Sequence, residues 1–143
     1  MKIYVAGRLA SESIRKLIEE AAELIENLGF ETFVPHRDVG LAKSMEDVSK
    51  IFKGDITKGF EDIDLVVAVL DGLHVGAGTA WELGYAYANK IPCIGLKTDE
   101  PVSECLDSLS AILIGSMQIV NSLDKLKDKL EQFKSGKTTI YKN

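Results

Sequence analysis

Glu82 is the first residue in this chain whose setting could support chemistry. It ends the tetrapeptide Thr79-Ala80-Trp81-Glu82, which matches a helix capping box with Thr79 as N-cap and Glu82 folded back onto the cap N–H. The same placement would put a carboxylate on the first turn of a helix, where the helix dipole keeps it ionised, as a nucleophile requires. The two roles can coexist, and the pattern leaves both open.

Four further polar residues are candidates, and each also has an ordinary structural explanation. Asp55 fits a solvated helix position, and Tyr4 lies in a strand-like run where aromatic residues usually belong to the core. Asp71 precedes a glycine after an apolar run, as in many turns, and His36 follows Pro35 and could be a surface or a site residue.

Metal and thiol chemistry have little support in the sequence. The chain has two histidines without HExxH spacing, and Cys93 and Cys105 are not in a CxxC arrangement. We therefore expect neither a metal nor another cofactor, and Cys93 is better explained as a small packing residue.

The composition is that of an ordinary soluble domain. Of 143 residues, 45% are hydrophobic and 27% charged, and the mean hydropathy is +0.04. The longest apolar runs, such as 65–70, are far shorter than the roughly 18 residues of a membrane span, and no signal-like segment precedes the first strand, so we expect a cytoplasmic location. The chain has 17 basic and 22 acidic residues and lacks a basic stripe, which argues against a polymeric nucleic acid as partner.

Apolar β-rich runs alternate with helical patterns, which predicts an α/β fold with a parallel sheet between two helical layers. The predicted strands are 3–6, 30–34, 65–70, 91–96 and 117–120, and the predicted helices are 12–28, 44–60 with a weak point at Gly54, 79–89, a short helix after Val102, and 122–133. We interpret residues 1–143 as a single domain with a polar tail at 135–143.

Right-handed crossovers favour a flavodoxin-like, Rossmann-like three-layer sandwich with strand order 2-1-3-4-5. In such a sheet a ligand binds at the carboxyl ends of strands 1 and 3. The loops there are residues 7–13 and 71–78, which contain the candidate ligand-binding residues Gly7, Arg8, Ser11, Asp71, Gly72, Gly76 and Gly78. Thr79, which follows the second loop, is a further candidate. Neither loop matches a dinucleotide or Mg-ATP fingerprint.

Several segments together resemble the nucleoside 2-deoxyribosyltransferase family. They are residues 2–7 (Lys-Ile-Tyr-Val-Ala-Gly), Asp55-Ile56 ahead of the acidic 61–64, 69–72 (Val-Leu-Asp-Gly), and 78–86 (Gly-Thr-Ala-Trp-Glu-Leu-Gly-Tyr-Ala). The resemblance extends from Lys2 to about Val120, and its most specific part is the segment around Glu82.

The resemblance implies a flavodoxin-like fold and a role for each of three residues. Glu82 would attack C1′ of the sugar to form a covalent glycosyl-enzyme, which a second base or water resolves. Asp55 would contact the nucleobase and handle its proton, and Tyr4 would lie near the nucleophile. The family also implies a homo-oligomer in which a neighbour's C-terminal segment, here Ser116-Met117, completes each site.

Three positions depart from the family pattern. Gly76 stands where transferases have an aspartate and the related nucleoside 5′-monophosphate N-glycosidases have a serine. Gly115-Ser116-Met117 replaces Asn-x-Met, and Arg8 replaces a proline. Two groups that would hold sugar hydroxyls are thus absent, while Arg8 near Ser11 leaves room for a 5′-phosphate.

Three functions are therefore open. We expect a transferase that moves a (deoxy)ribosyl group between bases in nucleotide salvage. A 5′-monophosphate N-glycosidase is the alternative, followed by a non-catalytic nucleotide-binding module. The presence of Tyr4, Asp55 and Glu82 together argues against the last, because a binding module needs neither a nucleophile nor a proton donor.

Overall fold

The computed structural model describes residues 1–136, and its centre is a five-stranded parallel sheet. The strands are β1 Lys2–Gly7, β2 Glu31–Phe33, β3 Leu65–Val69, β4 Cys93–Leu96 and β5 Gln118–Val120. Their order is β2-β1-β3-β4-β5, which confirms the predicted topology. β1 pairs with both β2 and β3, so the chain reverses its winding direction there and a crevice forms at the carboxyl ends of β1 and β3.

Six α-helices connect or follow the strands. They are α1 Glu12–Asn27, α2 Pro35–Asp38, α3 Val48–Phe52, α4 Ala77–Ala88, α5 Ala111–Ser116 and α6 Leu123–Lys134. Short 3₁₀ turns span Met45–Asp47 and Val102–Glu104, and a π-helix spans Lys53–Lys58. None of the helices among residues 1–136 is long and apolar enough to cross a bilayer.

The sheet buries a separate apolar cluster on each face. On one face Ile3, Val5 and Val67 pack with α1 and α6. On the other, Tyr4, Ala6 and residues of α4 pack with the π-helix. Alternation along β1 therefore directs Tyr4 toward the α4 face, while its neighbours Ile3 and Val5 point away from it.

The ends of α1 are where helix signals in the sequence indicate. The Ser11 side chain accepts from Ile14 N–H at 3.4 Å as the N-cap. Gly29, just after the helix, has a φ of +90°, a conformation that favours glycine.

The predicted helix 44–60 consists of a 3₁₀ turn, the α-helix α3 and a π-helix in succession. It begins as predicted, with Asp47 accepting from Ser44 N–H at 3.2 Å. At Gly54, the predicted weak point, the helix has widened into the π-helix. A Cβ at Gly54 would lie 2.6 Å from Val39 Cγ1, so a larger residue would displace this segment from Val39.

The predicted start of α4 at Thr79 is wrong. The helix begins two residues earlier, with Gly76 as N-cap in an extended conformation, and no side chain caps it. Thr79 is buried inside the first turn. Glu82 consequently lies in the second turn and does not form the predicted capping box.

The predicted tail falls mostly on residues 137–143, which lie outside the described part of the chain. Ser135 is the C-cap of α6, and Gly136 follows it with a φ of +70°.

Candidate active site

A cleft of about 480 Å³ opens between the start of α4 and the segment formed by α3 and the π-helix. Asp55 and Glu82 are the two ionisable residues that line it. The other lining residues are apolar or glycine: Ala42, Val48, Ile51, Phe52, Ile56, Ala77, Gly78 and Trp81. The cleft can therefore place two carboxyl groups against a ligand in largely apolar surroundings.

Glu82 points into this cleft from α4. Its neighbour one turn earlier is Gly78, where a Cβ would lie 3.9 Å from Glu82 Oε1. Burial is the main reason that the pKa of Glu82 rises to about 7; the Asp55 charge raises it further, and the Tyr4 hydroxyl lowers it. The expectation that the helix dipole keeps Glu82 ionised is not supported, because a dipole acts mainly within the first turn and Glu82 lies in the second.

Asp55 faces Glu82 from the π-helix. It is half-buried, and its Oδ1 is enclosed without a hydrogen-bond partner. Burial raises the pKa of Asp55 to about 6. The solvated helix position that the sequence alone suggested is therefore wrong, and the carboxyl group can hold a proton near neutral pH.

Tyr4 lies close to the two carboxyl groups, although it does not itself line the cleft. It is fully buried, and its ring stacks on Phe60 at 4.3 Å and on Phe33 at 5.3 Å between centroids. The hydroxyl lies close enough to Glu82 to lower the pKa of that carboxyl as a donor, although the two groups do not meet the geometry of a formed hydrogen bond. Burial, together with the charges of Glu82 and Asp55, raises the pKa of Tyr4, so the hydroxyl stays protonated.

Three unpaired polar atoms thus converge on one place. In residues 1–136, four buried side-chain oxygen or nitrogen atoms lack a hydrogen bond, and three of them are Tyr4 Oη, Asp55 Oδ1 and Glu82 Oε2. Native proteins rarely leave buried polar groups unpaired, because each costs about 1–3 kcal/mol. Their concentration in a cleft is typical of a site whose partner is a ligand.

Aromatic rings connect the cleft mouth to Tyr4. Phe52 meets Trp81 edge to face at 6.0 Å, and Trp81 stacks on Tyr85 at 5.5 Å. Tyr85 in turn contacts Phe60, which stacks on Tyr4. Sequence analysis did not single out Phe52 or Trp81, although Trp81 immediately precedes the candidate nucleophile.

The β1 loop comes close to the start of α4. A Cβ at Gly76 would lie 3.4 Å from Arg8 Cγ, so the exposed Arg8 side chain packs over Gly76. Gly7 is buried, and a Cβ there would lie 2.5 Å from Ile18 Cδ1, which gives this glycine a packing role. Arg8 and Gly76 are thus near each other, although neither lines the cleft that contains Glu82.

The predicted ligand contacts of Asp71 and Gly72 are not supported. Both oxygens of the Asp71 carboxylate accept from Thr98, one of them from the backbone N–H at 2.8 Å. Gly72 N–H donates to Asp99 Oδ2 at 2.7 Å. The loop after β3 is therefore fixed to the loop after β4. The Asp71 carboxylate and the Gly72 N–H already have hydrogen-bond partners within the protein.

Lys97 completes this link, and sequence analysis did not identify it. Its side chain is fully buried, and Nζ donates to Asp99 Oδ1 at 2.9 Å and to the carbonyls of Leu70 and Gly72 at 3.3 and 3.4 Å. A charged residue directly after an apolar strand was the only available signal. Two of its partners, the carbonyls of Leu70 and Gly72, are distant in the sequence, so the pattern could not reveal them.

His36 and Ser11 are also engaged away from the cleft. His36 Nε2 lies 3.1 Å from Glu19 Oε1 on α1, which packs on the opposite face of the sheet from Glu82. The Ser11 side chain caps α1 and also lies 3.1 Å from Ser13 Oγ. Neither residue lines the cleft.

The predicted contact of Met117 with a neighbour's site has no support in this structure, where its side chain is 1% exposed and packs in the core on the α4 face. Ser116 Oγ donates to Leu113 O at 3.0 Å and lines a second groove, between α4 and α5. An oligomer with shared sites stays a prediction. No group of three or more potential ligating side chains in residues 1–136 is arranged to hold a metal.

The family model of nucleoside 2-deoxyribosyltransferases matches residues 3–134. The chain belongs to this family. The match includes the three residues that converge in the cleft and all five strands. A comparison with curated proteins gives no significant match.

Three solved structures have the same fold. A conserved protein from Enterococcus faecalis V583 is 26% identical over 93% of this chain and 98% of its own, with a TM-score of 0.66. A 2-deoxyribosyltransferase from Bacillus psychrosaccharolyticus is 23% identical over 90% and 91%, with a TM-score of 0.69. A CMP N-glycosidase from Clostridium botulinum is 21% identical over 92% and 98%, with a TM-score of 0.53. The nucleoside 2-deoxyribosyltransferase fold is thus common to proteins described as a transferase and as a hydrolase.

Proposed function

We propose that this protein is a nucleoside 2-deoxyribosyltransferase that cleaves an N-glycosidic bond through a covalent glycosyl–Glu82 intermediate. The observation that supports it is that Glu82 and Asp55 face one apolar cleft, with the buried Tyr4 hydroxyl beside them. Membership in a family of this name supplies the substrate class.

In the first step an ionised Glu82 oxygen attacks C1′ of the sugar. The C1′–N bond breaks, and its electron pair leaves with the base. Asp55 gives its proton to the departing base nitrogen and becomes a carboxylate. The Tyr4 hydroxyl lies beside Glu82, where a donor keeps the attacking carboxylate ionised more of the time.

The second step reverses the roles. A new base attacks C1′ through a ring nitrogen, the ester bond to Glu82 breaks, and Glu82 leaves as a carboxylate. Asp55 accepts the proton that the attacking base loses. Water in place of the base would give the free sugar, and the same two carboxyl groups would serve.

The matching experiment incubates the protein with a panel of nucleosides, with and without a free acceptor base, and follows products by chromatography. We expect base exchange and a mass adduct of one glycosyl group on the peptide that contains Glu82. Hydrolysis alone would replace the transferase by a hydrolase, and the absence of both turnover and adduct would contradict the proposal.

One observation favours a second candidate, a nucleoside 5′-monophosphate N-glycosidase. Arg8 packs over Gly76 at the N-terminus of α4, where its guanidinium and free backbone N–H groups could bind a phosphate. The same panel with 5′-monophosphates tests it, because a glycosidase would release the base from nucleotides without needing an acceptor.

A further inference from the structure

Phe52 and Trp81 form an aromatic pair at the mouth of the cleft. Each is 51% exposed, which is unusual for rings of this size, and their centroids are 6.0 Å apart at an interplanar angle of 72°. Phe52 is three residues before Asp55, and Trp81 immediately precedes Glu82. Each wall of the cleft therefore carries one aromatic ring and one reactive carboxyl group.

The Trp81 ring packs against other aromatic rings of the protein. Tyr85 stacks on it at 5.5 Å and 9°, and Tyr85 rests edge-on against Phe60 at 5.0 Å. Phe60 is buried against Tyr4. The indole is thus held by a continuous set of rings, Tyr85, Phe60 and Tyr4, while its contact with Phe52 is edge to face.

Phe52 is held much less firmly. The helix that carries it, α3, buries none of its residues, and Val48 on the same helix is 47% exposed. Displacing the Phe52 ring from Trp81 therefore costs little buried apolar surface. A flat ligand can replace an edge-to-face contact between two side chains by a stacked contact on the indole.

We propose that Trp81 and Phe52 form an aromatic slot that binds the free nucleobase and thereby determines whether the glycosyl group passes to a base or to water. The second half of this inference, the choice between transfer to a base and transfer to water, rests on the proposed function. With a base stacked in the slot, its ring nitrogen attacks C1′, the C1′–O bond to Glu82 breaks, and the base proton passes to Asp55. With the slot empty, water attacks the same carbon and the sugar is hydrolysed.

The composition of the cleft supports stacking as the means of recognition. Of the lining residues other than Asp55 and Glu82, only Trp81 has a polar side-chain group, its indole N–H, and the rest are apolar or glycine. Base–aromatic stacking tolerates different bases because every base has a π-face. The class of ligand is therefore a planar heterocycle with one ring nitrogen placed near Asp55.

Trp81 is the single tryptophan of the chain, so its fluorescence reports on the slot directly. Titration with adenine should quench this fluorescence, and Phe52→Ala should weaken adenine binding about 5- to 150-fold. Phe52→Leu, which keeps apolar bulk without a ring, should behave like Phe52→Ala. Tyr87→Ala is the matched control, because Tyr87 is an exposed ring on α4 that does not line the cleft.

Unchanged fluorescence on adding adenine, or unchanged affinity in Phe52→Ala, would overturn the slot. Circular dichroism and thermal unfolding check that the variants fold, which the exposure of Phe52 leads us to expect.

A second measurement addresses the fate of the glycosyl group. At an acceptor concentration below saturation, Trp81→Leu should lower the ratio of transfer to hydrolysis about 5- to 150-fold, because it reduces occupancy by the base and leaves access of water unchanged. A ratio equal to that of the wild type would overturn this part of the proposal.

The two proposals fail in different ways. Quenching by adenine that depends on Phe52, in a protein that turns over no nucleoside, would leave the slot in place as a base-binding site and reject the transferase. Turnover that depends on Glu82, without any quenching by adenine, would support the transferase and reject the slot.

Discussion

Gly78 lies one helical turn before Glu82, and a Cβ at Gly78 would be 3.9 Å from Glu82 Oε1. Both residues line the same cleft, and Glu82 Oε2 is enclosed without a partner. The absence of a side chain at Gly78 leaves the approach to the carboxylate open along α4. This geometry fits a nucleophile better than a helix cap, because a capping glutamate would have its oxygen against the first backbone N–H groups.

Glu82→Gln should abolish turnover and leave the fold intact. An amide is nearly isosteric but cannot attack C1′ and leave again as a carboxylate. Product formation should fall to background, with an unchanged circular dichroism spectrum. Glu23→Gln, at an exposed position of α1, is the matched control and should retain full activity.

The same substitution should change stability in a pH-dependent way. The pKa of Glu82 is about 7 in the folded protein against a reference value of 4.5, so the folded state binds the extra proton between these values. The contribution of Glu82 to stability therefore falls as pH rises from 4.5 to 7 and is level outside that window. Glu82→Gln should be more stable than wild type at pH 8, by on the order of 1–3 kcal/mol, and show little gain at pH 4. Equal loss of stability and activity would instead indicate a purely structural role.

Asp55→Asn should lower the rate of base release about 10²- to 10⁴-fold and change substrate affinity much less. A departing base needs a proton, and burial raises the pKa of Asp55 to about 6 so that it can supply one near neutral pH. Rapid-quench measurement of base release separates this step from binding. Asp128→Asn, on the exposed surface of α6, serves as the control. A parallel change in affinity and rate would contradict the assignment.

The pH dependence of kcat/KM should be bell-shaped. The productive form has Glu82 ionised and Asp55 protonated. Because the pKa of Glu82, about 7, lies above that of Asp55, about 6, this form is the minority singly protonated state, and the activity maximum lies at about pH 6.5. Asp55→Asn should remove the alkaline limb, so that the activity that remains rises with pH through the pKa of Glu82 alone. A variant that kept both limbs would exclude Asp55 as the titrating acid.

Much of the fold was predictable because its signals are local. The buried strand 65–70 is a continuous apolar run, and Ser11 and Gly29 mark the ends of α1. The start of α4 was not predictable, because residues 76–78 are two glycines around an alanine and resemble a loop. Here the surrounding structure extends the helix through residues of low intrinsic propensity.

The candidate site was predictable only where a motif marked it. Tyr4, Asp55 and Glu82 stand out through the family resemblance, whereas the orientation of Asp55 depends on a π-helix whose Gly54 packs on Val39. The burial of Met117 could not be predicted. Met117 directly precedes the short strand β5, and the alternation of side chains there decides whether a residue faces the core or a neighbour.

Tyr4→Phe should move the pH optimum of activity to higher pH. The Tyr4 hydroxyl lowers the pKa of Glu82, so its removal lets burial raise that pKa further. Stability should not fall, because the deleted hydroxyl has no hydrogen bond to lose and the ring contacts with Phe60 and Phe33 are kept. Tyr87→Phe, on the exposed side of α4, is the control, and superimposable profiles for Tyr4→Phe and wild type would show that Tyr4 only packs.

Arg8→Ala distinguishes a nucleotide substrate from a nucleoside. Arg8 is exposed, and its side chain packs over Gly76 at the start of α4, where a 5′-phosphate would meet both the guanidinium and free backbone N–H groups. If the substrate is a 5′-monophosphate, loss of a charge-assisted bond of about 1.5–3 kcal/mol should raise its KM roughly 10- to 150-fold.

The salt dependence gives an independent check on the same contact. Because Arg8 is at the surface, raising the ionic strength should increase the KM of the wild type for a nucleotide and have little effect on the variant, which has lost the charge. Lys127→Ala removes an exposed cation from α6, on the opposite face of the sheet from the cleft, and should leave KM unchanged. A wild type that prefers the uncharged nucleoside, together with an Arg8→Ala variant that handles both substrates equally well, would reject the 5′-monophosphate glycosidase and assign Arg8 to the solvated surface.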